Sequence, residues 1–114
     1  MTNGETLGTT HMKYFLIKYQ LKNVPTEAWH RDIAEFIAAL DSDPALKGKI
    51  SYRCMKSRDS ADYYHLATAA DEQAVKALQQ SPSFSRYTAK IKQAAGGAVE
   101  VLPLEVIAET ARTA

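Results

Sequence analysis

The order of the apolar patterns along the chain limits its fold more than any other feature. Alternation of apolar and polar residues predicts strands, and apolar residues recurring at three- and four-residue steps predict helices. The predicted order is strand, helix, strand, strand, broken helix and strand, over residues 13–21, 26–40, 49–57, 62–69, 71–95 and 98–102. This β-α-β-β-α-β order is the ferredoxin-like plan. We therefore expect an α+β fold, with a four-stranded antiparallel sheet and helices on one of its faces.

Local signals mark where the helices begin and end. Thr26 and Asp71 are residue types that cap helix N-termini, so each is predicted to begin a helix. Ser81 followed by Pro82 predicts a restart within the second helical stretch, because Pro suits the first helical position. The pair Gly96-Gly97 predicts its end, since Gly tolerates the left-handed conformation there.

The sequence predicts one domain at residues 12–109, with a flexible lead at 1–11 and a short tail at 110–114. Pro103 is expected to interrupt the last strand at a sheet edge, because Pro cannot donate to a central ladder. Apolar residues continue from 104 to 107, and a domain this small needs something to cover them. We take this as a signal for a homodimer.

Composition excludes several classes of partner. The 14 basic and 13 acidic residues nearly balance, which argues against nucleic-acid and membrane-surface binding. Cys54 is the single cysteine, so neither an intramolecular disulfide nor a thiolate metal cluster is expected, and a cytoplasmic location fits. No apolar run is long enough for a membrane span, and no metal-ligand spacing or phosphate-binding glycine loop is found. We expect no metal and no cofactor.

Several segments resemble the dimeric α+β barrel superfamily, and within it the antibiotic-biosynthesis-monooxygenase-like domains. They include the second and third strands, the start of the second helical stretch, its Ser-Pro break and the end of the chain. The segments are residues 51–55, 63–66, 71–75, 81–87 and 99–104.

The resemblance implies a homodimer, with a small-molecule pocket between sheet and helices in each subunit. Several such proteins oxidise phenolic or anthrone-type molecules with O₂ and no cofactor, and others degrade haem. The haem-degrading branch uses a helix His to bind iron, at a position where this chain has Leu78. The resemblance therefore does not extend to haem binding.

His65 is the leading candidate for chemistry, because an imidazole titrates near neutral pH. It is predicted to share a strand face with Tyr63, Ala67 and Ala69, and the two alanines would leave room for a pocket. As a base, His65 would remove a phenolic proton from the substrate, while Tyr63 or Tyr52 bonds the substrate oxygen. The alternative is a packed histidine with a structural hydrogen bond.

Three further residues have both a functional and a structural interpretation. Arg53 could hold an anionic oxygen of a ligand, or be solvated or paired across a dimer. Trp29 could line an aromatic pocket, or pack in the core. Cys54 could be a nucleophile, although a small buried thiol is the simpler interpretation.

The sequence thus predicts a monooxygenase-like protein acting on a small aromatic or quinol-type molecule. His65 would be catalytic, and the residues that contact substrate would be Tyr52, Arg53, Tyr63 and Trp29. The alternative is a non-catalytic dimeric module that binds a small hydrophobic ligand. An open cavity beside His65 would favour the enzyme, and a sealed His65 would favour the binding module.

Overall fold

The helices and strands follow the predicted order. The computed structural model describes residues 12–111, so the predicted flexible lead lies outside the described residues. In the predicted tail only residues 110 and 111 are described, and they have no regular structure. The described elements are β1 (Lys13–Gln20), α1 (Thr26–Ser42), β2 (Ile50–Lys56), β3 (Asp62–Ala69), α2 (Glu72–Gln79), α3 (Pro82–Ala94) and β4 (Val99–Leu104).

The four strands form one antiparallel sheet in the order β2-β3-β1-β4. The two central strands are therefore β3 and β1. Their register sets Ile17 opposite His65 on one side and opposite Val101 on the other. This arrangement confirms the predicted α+β, ferredoxin-like architecture. No helix within residues 12–111 is long and apolar enough to cross a membrane.

Three of the four predicted helix signals are confirmed. The Asp71 carboxylate accepts a hydrogen bond from the Ala74 backbone N–H, at 2.8 Å. Ser81 caps α3 in the same way, and Pro82 is the first residue of that helix. Gly96 and Gly97 follow α3 with φ of 69° and 94°, the left-handed region in which a Cβ is unfavourable.

Two predicted details are wrong. Thr26 is the first helical residue of α1 rather than its cap, and Pro25 holds the cap position without a side-chain hydrogen bond. Pro103 does not interrupt the last strand, because β4 runs through it to Leu104. Among the described strands β4 pairs only with β1, so Pro103 lies on an edge strand, where a missing N–H is tolerated.

The core lies between the sheet and the helices. Trp29, Phe36 and Leu40 form the buried stripe of α1, and Tyr87 and Ile91 form that of α3. The opposite face of the sheet carries apolar side chains that the single chain leaves half-buried or exposed. Those on the strands are Tyr14, Leu16, Met55, Tyr64, Leu66, Leu102 and Leu104.

Candidate functional site

His65 lies in the middle of β3, and the alternation of that strand decides where it points. Tyr63, His65, Ala67 and Ala69 are buried on the helix-covered face, and the residues between them face the other way. Because β3 pairs with a strand on each side, no sheet edge opens beside His65. The exposed fraction of His65 is 0%. His65 is therefore sealed in the core of the single chain.

Both ring nitrogens of His65 have hydrogen-bond partners. The Nε2 atom lies 2.9 Å from the Tyr19 hydroxyl, which also accepts a 2.8 Å bond from the Trp29 indole N–H. The Nδ1 atom lies 3.2 Å from two hydroxyls, those of Tyr52 and Tyr87. We call these five residues the His65 cluster.

Burial keeps the His65 cluster uncharged near neutral pH. It lowers the pKa of His65 from 6.5 to about 4, since the charged imidazolium is disfavoured away from water. Burial also raises the pKa of the Tyr19, Tyr52 and Tyr87 hydroxyls well above their usual value. A neutral imidazole of such low pKa is a weak base, and it is held among neutral hydroxyls.

Aromatic stacking fixes the positions of the cluster's rings. The Tyr87 ring stacks on Phe36 with ring centroids 3.7 Å apart and planes within 2° of parallel, and it also stacks with Trp29 and His65 at about 6 Å. The Tyr19 ring stacks on that of Tyr63 at 5.2 Å. These contacts leave the hydroxyls little freedom to change partners, so the hydrogen-bond geometry is built into the core.

A cavity of about 540 Å³ lies between the sheet and the second helical stretch, next to the His65 cluster. Ala67 and Ala69 line it, so the small side chains of β3 do leave the space that the sequence predicted. Tyr52 is the member of the cluster that lines the cavity; His65 does not. Most other lining residues are apolar: Phe15, Ile17, Ile50, Val75, Leu78, Phe84, Ile91, Val99 and Val101.

The structure brings together most of the predicted site residues, but not all. Tyr52 and Trp29 both belong to the His65 cluster. Tyr63 lies beside the cluster, but its hydroxyl bonds to the His30 Nε2 atom at 2.7 Å. Arg53 is exposed and in register with Leu66, on the sheet face away from the cavity. Within one chain Arg53 is therefore separated by the sheet from the other four.

The predicted site residues do not include two members of the cluster, Tyr19 and Tyr87. Tyr19 is buried on the helix-covered face of β1, and its register opposite Tyr63 brings it beside His65. Tyr87 lies on the buried stripe of α3, and a stripe position in the sequence does not show which strand residue it will contact.

Two remaining features of the described residues bear on possible chemistry. A second, more open depression of about 380 Å³ lies at the far end of the β1–β4 pair, and its lining includes Lys18, Gln20 and Glu100. Within residues 12–111, no group of three or more His, Cys, Asp or Glu side chains is arranged to hold a metal ion.

Several solved structures share the fold of this chain over most of its length. A candidate antibiotic biosynthesis monooxygenase from Caulobacter crescentus superposes with a TM-score of 0.72 at 14% identity, covering 88% of this chain and 93% of that one. SnoaB, a cofactor-independent oxygenase from Streptomyces nogalater, gives 0.66 at 18% identity, covering 91% and 96%. A dimeric ferredoxin-like protein of unknown function from Jannaschia gives 0.62 at 25% identity, covering 83% and 99%.

The chain has the fold of the antibiotic-biosynthesis-monooxygenase-like structures. This finding confirms the fold that the resemblance predicted. No family model matches the sequence, and no curated protein matches it. The similarity therefore establishes the architecture, and the function has to be argued from the site.

Proposed function

We propose that the protein binds a small aromatic or otherwise apolar molecule in the cavity beside the His65 cluster. The observation that carries this proposal is the cavity itself, about 540 Å³ of space with a mainly apolar lining. Pockets for small organic ligands are usually of this size and character. Larger side chains that filled this space would stabilise a domain of this length. The two alanines on the cavity wall therefore indicate that the space serves a function.

Side chains at the cavity also suggest how a ligand would be oriented. Tyr52 lines the cavity, and its hydroxyl lies 3.2 Å from the His65 Nδ1 atom. Gln79, Thr88 and Lys92 line the cavity too, and all three are exposed. A ligand with an apolar ring system and one or two oxygen atoms would match this distribution.

A second candidate function is cofactor-independent oxygenation of a quinol-type or anthrone-type ligand in the same cavity. It is supported by the shared fold with SnoaB, which is described as a cofactor-independent oxygenase. With an anthrone-type ligand the ring CH₂ becomes a carbonyl, with one oxygen atom of O₂ entering the product and the other leaving as water. Because His65 has no exposed surface, it could act on a substrate only through Tyr52.

We further propose that two copies pair through the sheet face opposite the helices. Leu16, Leu66 and Leu102 are cross-strand neighbours in the middle of that face. Ile107, beyond the end of β4, is 86% exposed in the single chain. Pairing would cover this apolar surface, and the Jannaschia protein of the same fold is described as dimeric.

The binding proposal is tested by filling the cavity. An Ala67→Leu variant should lose the thermal stabilisation that quinols, anthrones or other small aromatics give the wild type. At a hundred times the dissociation constant, a ligand specific for the native state adds about 2.7 kcal/mol. Ala89→Leu is the matched control, because Ala89 is exposed on α3 and the same atoms are added away from the cavity. Equal stabilisation of the two variants, or of neither variant nor wild type, would contradict the proposal.

Oxygen uptake separates the two candidate functions. Ligands that stabilise the wild type are added to air-saturated protein, and O₂ consumption is followed against buffer and against Tyr52→Phe. One O₂ consumed per ligand, slowed in Tyr52→Phe, supports the oxygenase. Stabilisation without O₂ consumption would support the binding function and contradict the oxygenase function.

A further inference from the structure

The donor groups in the His65 cluster determine the direction of each of its hydrogen bonds. The Trp29 indole N–H can only donate, so the Tyr19 oxygen is an acceptor in their 2.8 Å bond. The proton of the buried Tyr19 hydroxyl then needs an acceptor of its own. Among the described residues, the atom within reach is the His65 Nε2 atom, at 2.9 Å. Nε2 therefore carries the lone pair, and the proton of the neutral imidazole is on Nδ1.

The position of the imidazole proton on Nδ1 also determines the hydrogen bonds on that side of the His65 ring. The Nδ1–H of His65 donates toward the Tyr52 and Tyr87 oxygens, each 3.2 Å away. The Tyr87 hydroxyl has the Cys54 sulfur as a further partner at 4.0 Å, a distance at which sulfur accepts a weak bond. Tyr52 also shares a hydrogen bond with the neighbouring Tyr87 hydroxyl, and Tyr52 is the one of the two that lines the cavity.

We propose that Tyr52 donates its hydroxyl hydrogen bond to an oxygen atom of the bound ligand, at the end of a chain of donors that runs from Trp29 through Tyr19 and His65. Bonds that all point the same way polarise one another, which strengthens the last donor. Tyr52 is then the residue that contacts the ligand, and His65, Tyr19 and Trp29 are positioning residues. His65 is not the base in this arrangement, because its lone pair is held by Tyr19.

This inference rests on the proposed function, since it assumes that the cavity takes a ligand. It narrows that ligand to a molecule with a hydrogen-bond acceptor, such as a carbonyl or phenolate oxygen, on an apolar ring system. It also predicts discrimination, because an analogue without the oxygen leaves the Tyr52 hydroxyl unpaired against an apolar surface.

The ligand arm of the test uses two probes of similar shape, 1-tetralone and tetralin, which differ in one carbonyl oxygen. Their dissociation constants are measured for wild type, Tyr52→Phe and Tyr64→Phe. The ratio of the two constants should favour tetralone by about fivefold more in wild type than in Tyr52→Phe, the effect of one net hydrogen bond. Tyr64→Phe is the control, because Tyr64 lies on the sheet face away from the cavity, and it should keep the wild-type ratio.

The spectroscopic arm needs no ligand. Nitrogen-15 NMR of the two ring nitrogens of His65 at pH 7 should show the proton on Nδ1, although free histidine prefers Nε2. A proton on Nε2 would overturn the inference. Equal probe ratios in wild type and Tyr52→Phe would also overturn it while leaving the proposed function standing. If neither probe binds, the proposed function fails and the ligand contact of Tyr52 fails with it.

Discussion

Burial of His65 predicts a loss of stability in acid that a His65→Gln variant does not share. The pKa of His65 falls from 6.5 to about 4 on folding, so below pH 6.5 the unfolded chain takes up a proton that the native chain does not. This stabilising term is fully present above pH 6.5 and disappears as the pH falls through about 4. At 1.36 kcal/mol for each pKa unit, the full loss is about 3 kcal/mol, and about 2 kcal/mol of it has occurred by pH 5.

The titratable groups that surround His65 do not add a pH dependence of their own over this range. Tyr19 faces it from β1, Tyr52 from β2 and Tyr87 from α3, and all three have raised pKa values. Cys54, opposite His65 in the sheet, has its pKa raised to about 11 by burial. None of the four changes charge between pH 5 and pH 7.5.

Urea unfolding at a series of pH values from 7.5 to 5 measures the effect. With about 1–2 kcal/mol per molar urea for a domain of this size, the wild-type midpoint should fall by about 1–2 M more than that of His65→Gln. Carboxylates and the other histidines contribute equally to both proteins and cancel in the comparison. Parallel pH profiles would refute the reasoning, because they would mean that His65 titrates alike in the native and unfolded chains.

Three further predictions concern single residues. Burial raises the pKa of the Cys54 thiol to about 11, so at pH 8 it should react with a thiol reagent at least about tenfold more slowly in native than in urea-unfolded protein. Equal reaction rates would contradict the burial of this thiol. Leu46 is 1% exposed, so Leu46→Ala should lower the unfolding free energy by about 2–5 kcal/mol in urea titrations; a loss below 1 kcal/mol would mean that the site is loosely packed. A Cβ at Gly97 would meet nothing within 4 Å, so Gly97→Ala should cost only the backbone strain of its φ of +94°. We expect the unfolding free energy to fall by about 1–2 kcal/mol in the same assay. An unchanged unfolding free energy would argue against that backbone conformation.

The architecture was predictable because each of its signals is local. Alternation in β3 correctly grouped Tyr63 with His65, and Ser81-Pro82 correctly divided the second helical stretch. The error at Thr26 has a local cause too. The sequence offers a capping residue type directly after Pro25, and only the backbone shows which of the two is the first helical residue.

The His65 cluster was not predictable in the same way, because its contacts join distant parts of the chain. Tyr19 and His65 are 46 residues apart, and Tyr87 is 22 residues beyond His65. Which tyrosine hydroxyl meets which ring nitrogen depends on strand register and on how α3 lies over the sheet. The sequence identified the central histidine, but its partners and its complete burial follow from tertiary packing.

The most direct test of the central claim is where a small aromatic ligand binds. Backbone amide NMR spectra of uniformly nitrogen-15-labelled protein, recorded during titration with 1-tetralone, would locate the site. We expect the largest shift changes at residues around the cavity, such as Ala67, Ala69 and Phe84, with little change at Gln20 or Glu100 in the second depression. Changes centred on the second depression, or no changes at millimolar ligand, would contradict the account.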